Sequence, residues 1–210
     1  SMALPNHTVK SYDNDLKLIA SLVFDMLDQV NTSVDLISKS IKDTENDYYS
    51  KARSNDQGIN ELDINIEKKI TQMLALRQPM AVDLRYLVAA IKVSLNLERA
   101  GDLAKNIVGK IVKLRDGDLN SQFVALINEM VEISKEMLKN AVESYNNQDL
   151  SQANDVLELD EKVNADYKQF KKIIADDNFD RDQVLDFIDV LFIAKSLERI
   201  GDYAKNIAEI

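Results

Sequence analysis

Leu97-Glu98-Arg99-Ala100-Gly101-Asp102-Leu103-Ala104-Lys105-Asn106-Ile107 recurs as Leu197-Glu198-Arg199-Ile200-Gly201-Asp202-Tyr203-Ala204-Lys205-Asn206-Ile207, at a constant offset of 100 residues and with nine of eleven positions identical. A fainter echo precedes it: Asp56, Ile59 and Asn60 stand against Asp160, Val163 and Asn164 at an offset of 104. The chain therefore reads as two like units in tandem. Around both copies the apolar period is helical. Leu16, Ile19, Val23, Met26, Val30, Val34, Ile37 and Ile41 step by threes and fours, the spacing of a seam that packs against neighbouring helices.

The same periodicity predicts five further helices. The second runs from about Asn46 to Leu76, with Ile59, Leu62, Ile66, Ile70 and Met73 inward. Pro79 marks the first turn of the third, where its missing N–H costs little, and that helix continues to about Leu114. Arg115-Asp116-Gly117-Asp118 is the clearest break, with Gly117 suited to a helix C-cap. The fourth carries Phe123, Leu126, Met130, Ile133, Met137, Ala141 and Tyr145. The fifth runs from near Asp149 to about Ala175, the acidic stretch Asp176 to Asp182 turns, and the sixth runs from about Gln183. The expected fold is all-α: two tandem three-helix bundles, six long helices in quasi-two-fold repeat, with units at 1–115 and 119–210.

Composition agrees. Five Gly and two Pro in 210 residues leave few places to turn, while 45% hydrophobic and 30% charged residues suit long amphipathic helices. With no cysteine, disulfides, thiolate zinc sites and cysteine nucleophiles are all absent. A net charge of −10 repels phosphate backbones and argues against nucleic-acid binding. No apolar run approaches the roughly 20 residues that span a bilayer, and Ser1 to Lys10 contains no signal-peptide core. A cytoplasmic protein is expected. Ser1-Met2 reads as an expression scar, and the pattern at Ile210 stops without a helix-ending signal, as though native sequence continues.

The chemistry-bearing residues are carboxylates. Glu98 and Asp102 are four apart and so neighbours on one helix face; Glu198 and Asp202 repeat the arrangement. Leu84, Val88, Ile91 and Leu95 lead to Glu98 and Asp102 at the same spacing, as Val184, Ile188 and Leu191 lead to Glu198 and Asp202, so the rows read as inward rows that turn acidic. If helices two and three form an antiparallel hairpin turning near Pro79, Asp56 falls level with Asp102 and Asn60 with Glu98. A turn near Arg181 places Asp160 level with Asp202 and Asn164 with Glu198. Each unit then offers three carboxylates and an amide, an oxygen-only set suited to magnesium, calcium, manganese or ferric iron. The competing reading is a solvated helix face, with Arg99 and Arg199 pairing acidic neighbours. Gly101 and Gly201 each cost about 1 kcal/mol in a helix interior, and point to close helix contact or room for a ligand. His7 is the sole histidine and lies in the N-terminal segment. No Glu-x-x-His pair of the di-iron type, phosphate loop or nucleophile elbow is present.

These motifs resemble the PhoU family of phosphate-uptake regulators. Leu-Glu-Arg-x-Gly-Asp, twice, is the most specific likeness; Arg77-Gln78-Pro79-Met80-Ala81-Val82-Asp83-Leu84-Arg85 and the opening Thr8-Val9-Lys10-Ser11-Tyr12-Asp13 match as well. The resemblance implies a non-enzymatic, metal-binding adaptor. Its metal, including clusters of iron or zinc, would sit on Glu98, Asp102, Glu198 and Asp202. It also implies negative regulation of the phosphate-starvation response, coupling of a phosphate ABC transporter ATPase to a sensor histidine kinase, and frequent dimers. Family members often carry an acidic residue where this chain has Asn60 and Asn164. Two other classes remain open: a metal-free helical scaffold, and a carboxylate-bridged metal enzyme.

Overall fold

The computed structural model describes residues 6–114, 119–176 and 181–210; side chains are described from 10 onward in the first segment and from 186 onward in the last. The expected break at 115–118, residues 177–180 of the expected turn Asp176 to Asp182, and the side chains of His7 and Val184 lie outside the described residues; of that turn, Asp176, Arg181 and Asp182 are helical instead. Six helices are present and, among the described residues, no strand: α1 (Asn6–Lys42), α2 (Tyr48–Leu76), α3 (Ala81–Lys113), α4 (Ser121–Asn147), α5 (Leu150–Asp176) and α6 (Arg181–Ala208).

Local chemistry explains the boundaries. Asp47 caps α2, its carboxylate accepting from Ser50 N at 3.0 Å and from Ser50 Oγ at 2.6 Å. Asn120 caps α4 by accepting from Phe123 N at 2.9 Å. Gln148 ends α4 in the left-handed region (φ 52°), a standard helix stop. Pro79 lies just before α3, whose N-cap is Met80. This is two residues outside the expected first turn, because the extended backbone at Arg77 and Met80 carries the chain across the hairpin.

Helices α1, α2 and α3 pack on one another, as do α4, α5 and α6, and the two triplets join through α1 on α4 and α3 on α6. The four joining helices are central; α2 and α5 are outermost. Polar ties cross the joint: Lys135 Nζ lies 3.1 Å from Asp35 Oδ1, and Lys110 Nζ lies 3.3 Å from Asp189 Oδ1. Tyr86 of α3 stacks on Tyr145 of α4 at 5.2 Å, and the Tyr145 hydroxyl donates to the Tyr86 carbonyl at 3.0 Å. The α4–α5–α6 core includes Phe123, stacked on Phe170 at 5.4 Å and edge-on to Phe187 at 6.1 Å.

One sequence expectation is corrected. Leu84, Val88, Ile91 and Leu95 do not face inward: they are 37–41% exposed. Ile188 is 56% exposed, and Leu191 is half-buried. The buried row of α3 is the neighbouring one, Leu87, Ala90, Ser94, Leu97, Gly101, Ala104 and Ile111. It is the row richer in small residues. α3 must fit against α1, α2 and α6 at once, and small side chains allow that close approach at interior packing density. The larger aliphatics are left outside.

Candidate functional site

Because the buried row is displaced, Glu98 and Asp102 do not continue the core. They lie along the edge where α3 meets α2. Glu98 is half-buried, and the Asp102 side chain is 47% exposed. The antiparallel register expected from the sequence holds. Lys105 of α3 reaches Asp56 of α2, and a Cβ on Gly101 would stand 2.8 Å from Ile59 Cδ1. In the second repeat Gly201 lies against Asp160, where a Cβ would stand 3.5 Å from Asp160 Oδ1. The expected partners thus come together: Asp56 with Asp102, and Asp160 with Asp202. Asn60 is exposed, whereas Asn164 donates to Asp160 Oδ2 at 3.4 Å.

Four contributors were not singled out from sequence. Lys105 Nζ bridges the first site, 3.0 Å from Asp102 Oδ1 and 3.2 Å from Asp56 Oδ2. Asp63, one helical step beyond Asn60, accepts from Ser94 Oγ and faces Glu98. In the second site Lys195 Nζ lies 2.6 Å from Glu198 Oε1, while Lys205 Nζ stands 4.0 Å from Asp160 Oδ2. The duplicated Lys at 105 and 205 was visible in the repeat itself. Its position three residues after the aspartate, on the same face, was the available signal.

Electrostatics record the crowding. Burial, then Asp102, Asp63 and Asp56, push the Glu98 carboxyl above its ordinary range, with Arg99 working against them. Burial, then Asp160 and Glu198, push Asp202 up, opposed by Lys195 and Lys205. Asp160 is also raised, chiefly by burial. Burial disfavours the charge on Lys105, but its hydrogen bonds to Asp102 and Asp56 outweigh that and raise its pKa. Asp56 and Asp160 are 7% and 6% exposed, and in each the Oδ1 oxygen is buried without a hydrogen-bond partner. Such an oxygen is costly unless something satisfies it.

The donor set, oxygen throughout with two orphaned buried oxygens, suits a hard cation. Yet among the described residues no three acidic groups stand together in ligating range; in the first site an ammonium lies between two of them. A metal entering there would take the place of Lys105.

An all-helical tandem repeat with a duplicated carboxylate edge defines a class. The family described as "PhoU domain" matches residues 23–111 and 127–210, and the chain belongs to that family. It is similar to the "Phosphate-specific transport system accessory protein PhoU homolog" of Caulobacter vibrioides, 36% identical over 208 residues, covering 99% of this chain and 90% of the relative. The protein of the same description in Zymomonas mobilis is 33% identical over 205 residues, covering 97% of this chain and 86% of the relative. The crystal structure of PhoU from Pseudomonas aeruginosa superposes with a TM-score of 0.84 at 25% identity, covering 94% of this chain and 95% of that one.

Proposed function

We propose that this chain is an accessory, regulatory protein of a phosphate transport system, an adaptor rather than a catalyst. It docks in the cytoplasm on the transporter ATPase and on a sensor histidine kinase, represses the phosphate-starvation response when phosphate is plentiful, and acts as a homodimer. The observation that carries the reading is membership of the PhoU domain family across both repeats, together with relatives described as accessory proteins of phosphate-specific transport. No helix among the described residues is long and apolar enough to cross a membrane, which suits a partner that reaches the membrane by docking.

The carboxylate edge forms part of this proposal. Asp56, Glu98 and Asp102, and in the second repeat Asp160, Glu198 and Asp202, would hold a metal ion: iron, zinc, manganese, magnesium or calcium. A bound cation relieves the repulsion among these groups and satisfies the orphaned oxygens of Asp56 and Asp160. The second reading, a metal-free scaffold, is favoured by Lys105, whose ammonium already bridges Asp56 and Asp102.

The test is genetic and elemental. Deleting the gene should derepress a phosphate-responsive reporter in phosphate-replete medium, and the wild-type chain should restore repression. An unchanged reporter after deletion overturns the regulatory role. Elemental analysis of the purified chain beside a variant with Glu98, Asp102, Glu198 and Asp202 all changed to Ala decides between metal and scaffold.

A further inference from the structure

Among the described residues, the four large apolar side chains that meet the most solvent all sit at one end of the bundle. Leu76 closes α2, Met80 and Val82 flank the start of α3, and Leu150 opens α5; they are 65–81% exposed. Each lies at a helix connection, where function concentrates, and apolar side chains kept together in water mark an interaction site. Two cavities of about 420 Å³ each adjoin there. Arg85, Leu150 and Ile207 line one, Leu16, Lys17 and Ala20 line the other, and Val82, Tyr86 and Gln148 line both. Together they form a groove across the start of α3. Its floor is fixed, because Tyr86 stacks on Tyr145 and accepts from the Tyr145 hydroxyl at its carbonyl.

The unmatched charges of the groove are positive. Arg85 and Lys17 are exposed and make no hydrogen bond or ion pair with the described residues. The two carboxylates that border the groove are engaged. Asp149 Oδ1 accepts from Ser151 N at 2.9 Å and from Gln152 N at 3.4 Å. Asp83 stands in the first turn of α3, where the helix dipole favours it. The opposite end of the α1–α2 pair is acidic, with Asp43, Glu45 and Asp47 between the two helices. In a chain of net charge −10, the groove is a place where an acidic partner meets attraction rather than repulsion.

We propose that this groove docks an acidic segment of a protein partner, extended across both cavities, with an apolar side chain seated against Val82 and Leu150 and a carboxylate on Arg85. This rests on the adaptor reading above and adds to it the docking surface and the chemistry of what docks there. The Gln148 side-chain amide, without a hydrogen-bond partner among the described residues, lines both cavities and can pair with the backbone of such a segment. A lipid surface would call for about four to eight clustered cations, and the groove has two. A second copy docking by the same surface would bring like cations face to face across a two-fold axis.

The experiment measures binding of the full chain to the purified, detergent-solubilised phosphate transporter and sensor kinase by calorimetry. Wild type should bind at least one of them. Leu150→Asp should weaken that binding about tenfold or more, as loss of a central apolar anchor does. Arg85→Lys, Arg85→Gln and Arg85→Glu should weaken it progressively in that order, the signature of a carboxylate opposite. Ile64→Asp, exposed on α2 away from both cavities, should bind as wild type does. Thermal melting verifies that every variant is folded. Binding left unchanged by Leu150→Asp, or Arg85→Glu binding as tightly as wild type, overturns the proposal while leaving the adaptor reading standing. Cosedimentation with phosphatidylglycerol vesicles that Leu150→Asp abolishes would put a lipid surface in the groove, and a dimer that Leu150→Asp dissociates would put a second copy there; either result overturns it as well. If neither transporter nor kinase binds wild type, the adaptor reading itself fails and the proposal falls with it.

Discussion

Gly101 and Gly201 occupy identical motif positions, yet alanine should act oppositely at the two. Each substitution gains about 1 kcal/mol of helix propensity. At Gly201 the new Cβ meets Asp160 Oδ1 and Met137 Cε at 3.5 Å each, ordinary van der Waals contact, so most of that gain survives. At Gly101 the Cβ would stand 2.8 Å from Ile59 Cδ1, and Ile59 is wholly buried. The Ile59 methyl must leave its place in a full core, at the ~1–3 kcal/mol typical of overpacking. Gly201→Ala should therefore stabilise by roughly 0.5–1 kcal/mol, and Gly101→Ala should destabilise by up to ~2 kcal/mol. At this chain length 1 kcal/mol corresponds to about 2–4 °C in melting temperature. Thermal and urea melts of metal-free protein read both shifts, with urea midpoints giving the sign independently. A rise in both variants would show that Ile59 yields freely and that no close approach exists at Gly101. A fall for Gly201→Ala would show that the pocket beside Asp160 has no room for a methyl group. Gly201→Leu, whose larger side chain must press on Asp160 and Met137 from a buried position, should destabilise by ~1–3 kcal/mol.

Other outcomes follow from the same geometry. Val88→Lys should change stability by less than about 0.5 kcal/mol because Val88 is exposed, whereas Leu87→Ala, one residue away in the buried row, should cost ~2–5 kcal/mol by chemical denaturation. Lys105→Met should destabilise the metal-free chain by ~1–3 kcal/mol, since it leaves the buried Asp56 carboxylate unpaired; an unchanged urea midpoint would refute the bridge. Asp166 is pushed up from 3.8 to about 6 by burial and by Glu129 facing it from α4. A raised carboxyl means that the folded state holds the extra proton, so this contribution is lost as pH rises from about 4 through about 6. The shift would amount to ~3 kcal/mol at full weight, and solvent at this partly exposed group screens it to ~1 kcal/mol. Asp166→Asn should thus stabilise by ~1 kcal/mol at pH 7.5 and have little effect at pH 4, read from paired melts.

The helices, their number, their tandem pairing and the register of each outer hairpin were legible in the chain's own pattern. Period and breakers are local properties, and counting residues from a turn is arithmetic: Asp56 beside Asp102 and Asp160 beside Asp202 follow from it. Which of two adjacent apolar rows on α3 is buried depends on how the helices pack. Leu84, Val88, Ile91 and Leu95 have the better hydrophobic pattern, but a helix wedged among three neighbours buries the row that lets them approach, and that row carries Ala90, Gly101 and Ala104. For the same reason the carboxylates were legible as pairs but their neighbours across the hairpin were not. Asp63 faces Glu98, and Lys105 reaches Asp56, through the rotation of α2 against α3, which packing sets and no single helix encodes, whereas Lys105 beside Asp102 and Lys195 beside Glu198 are three residues apart on one helix. Two near-identical motifs thereby acquire different electrostatic surroundings.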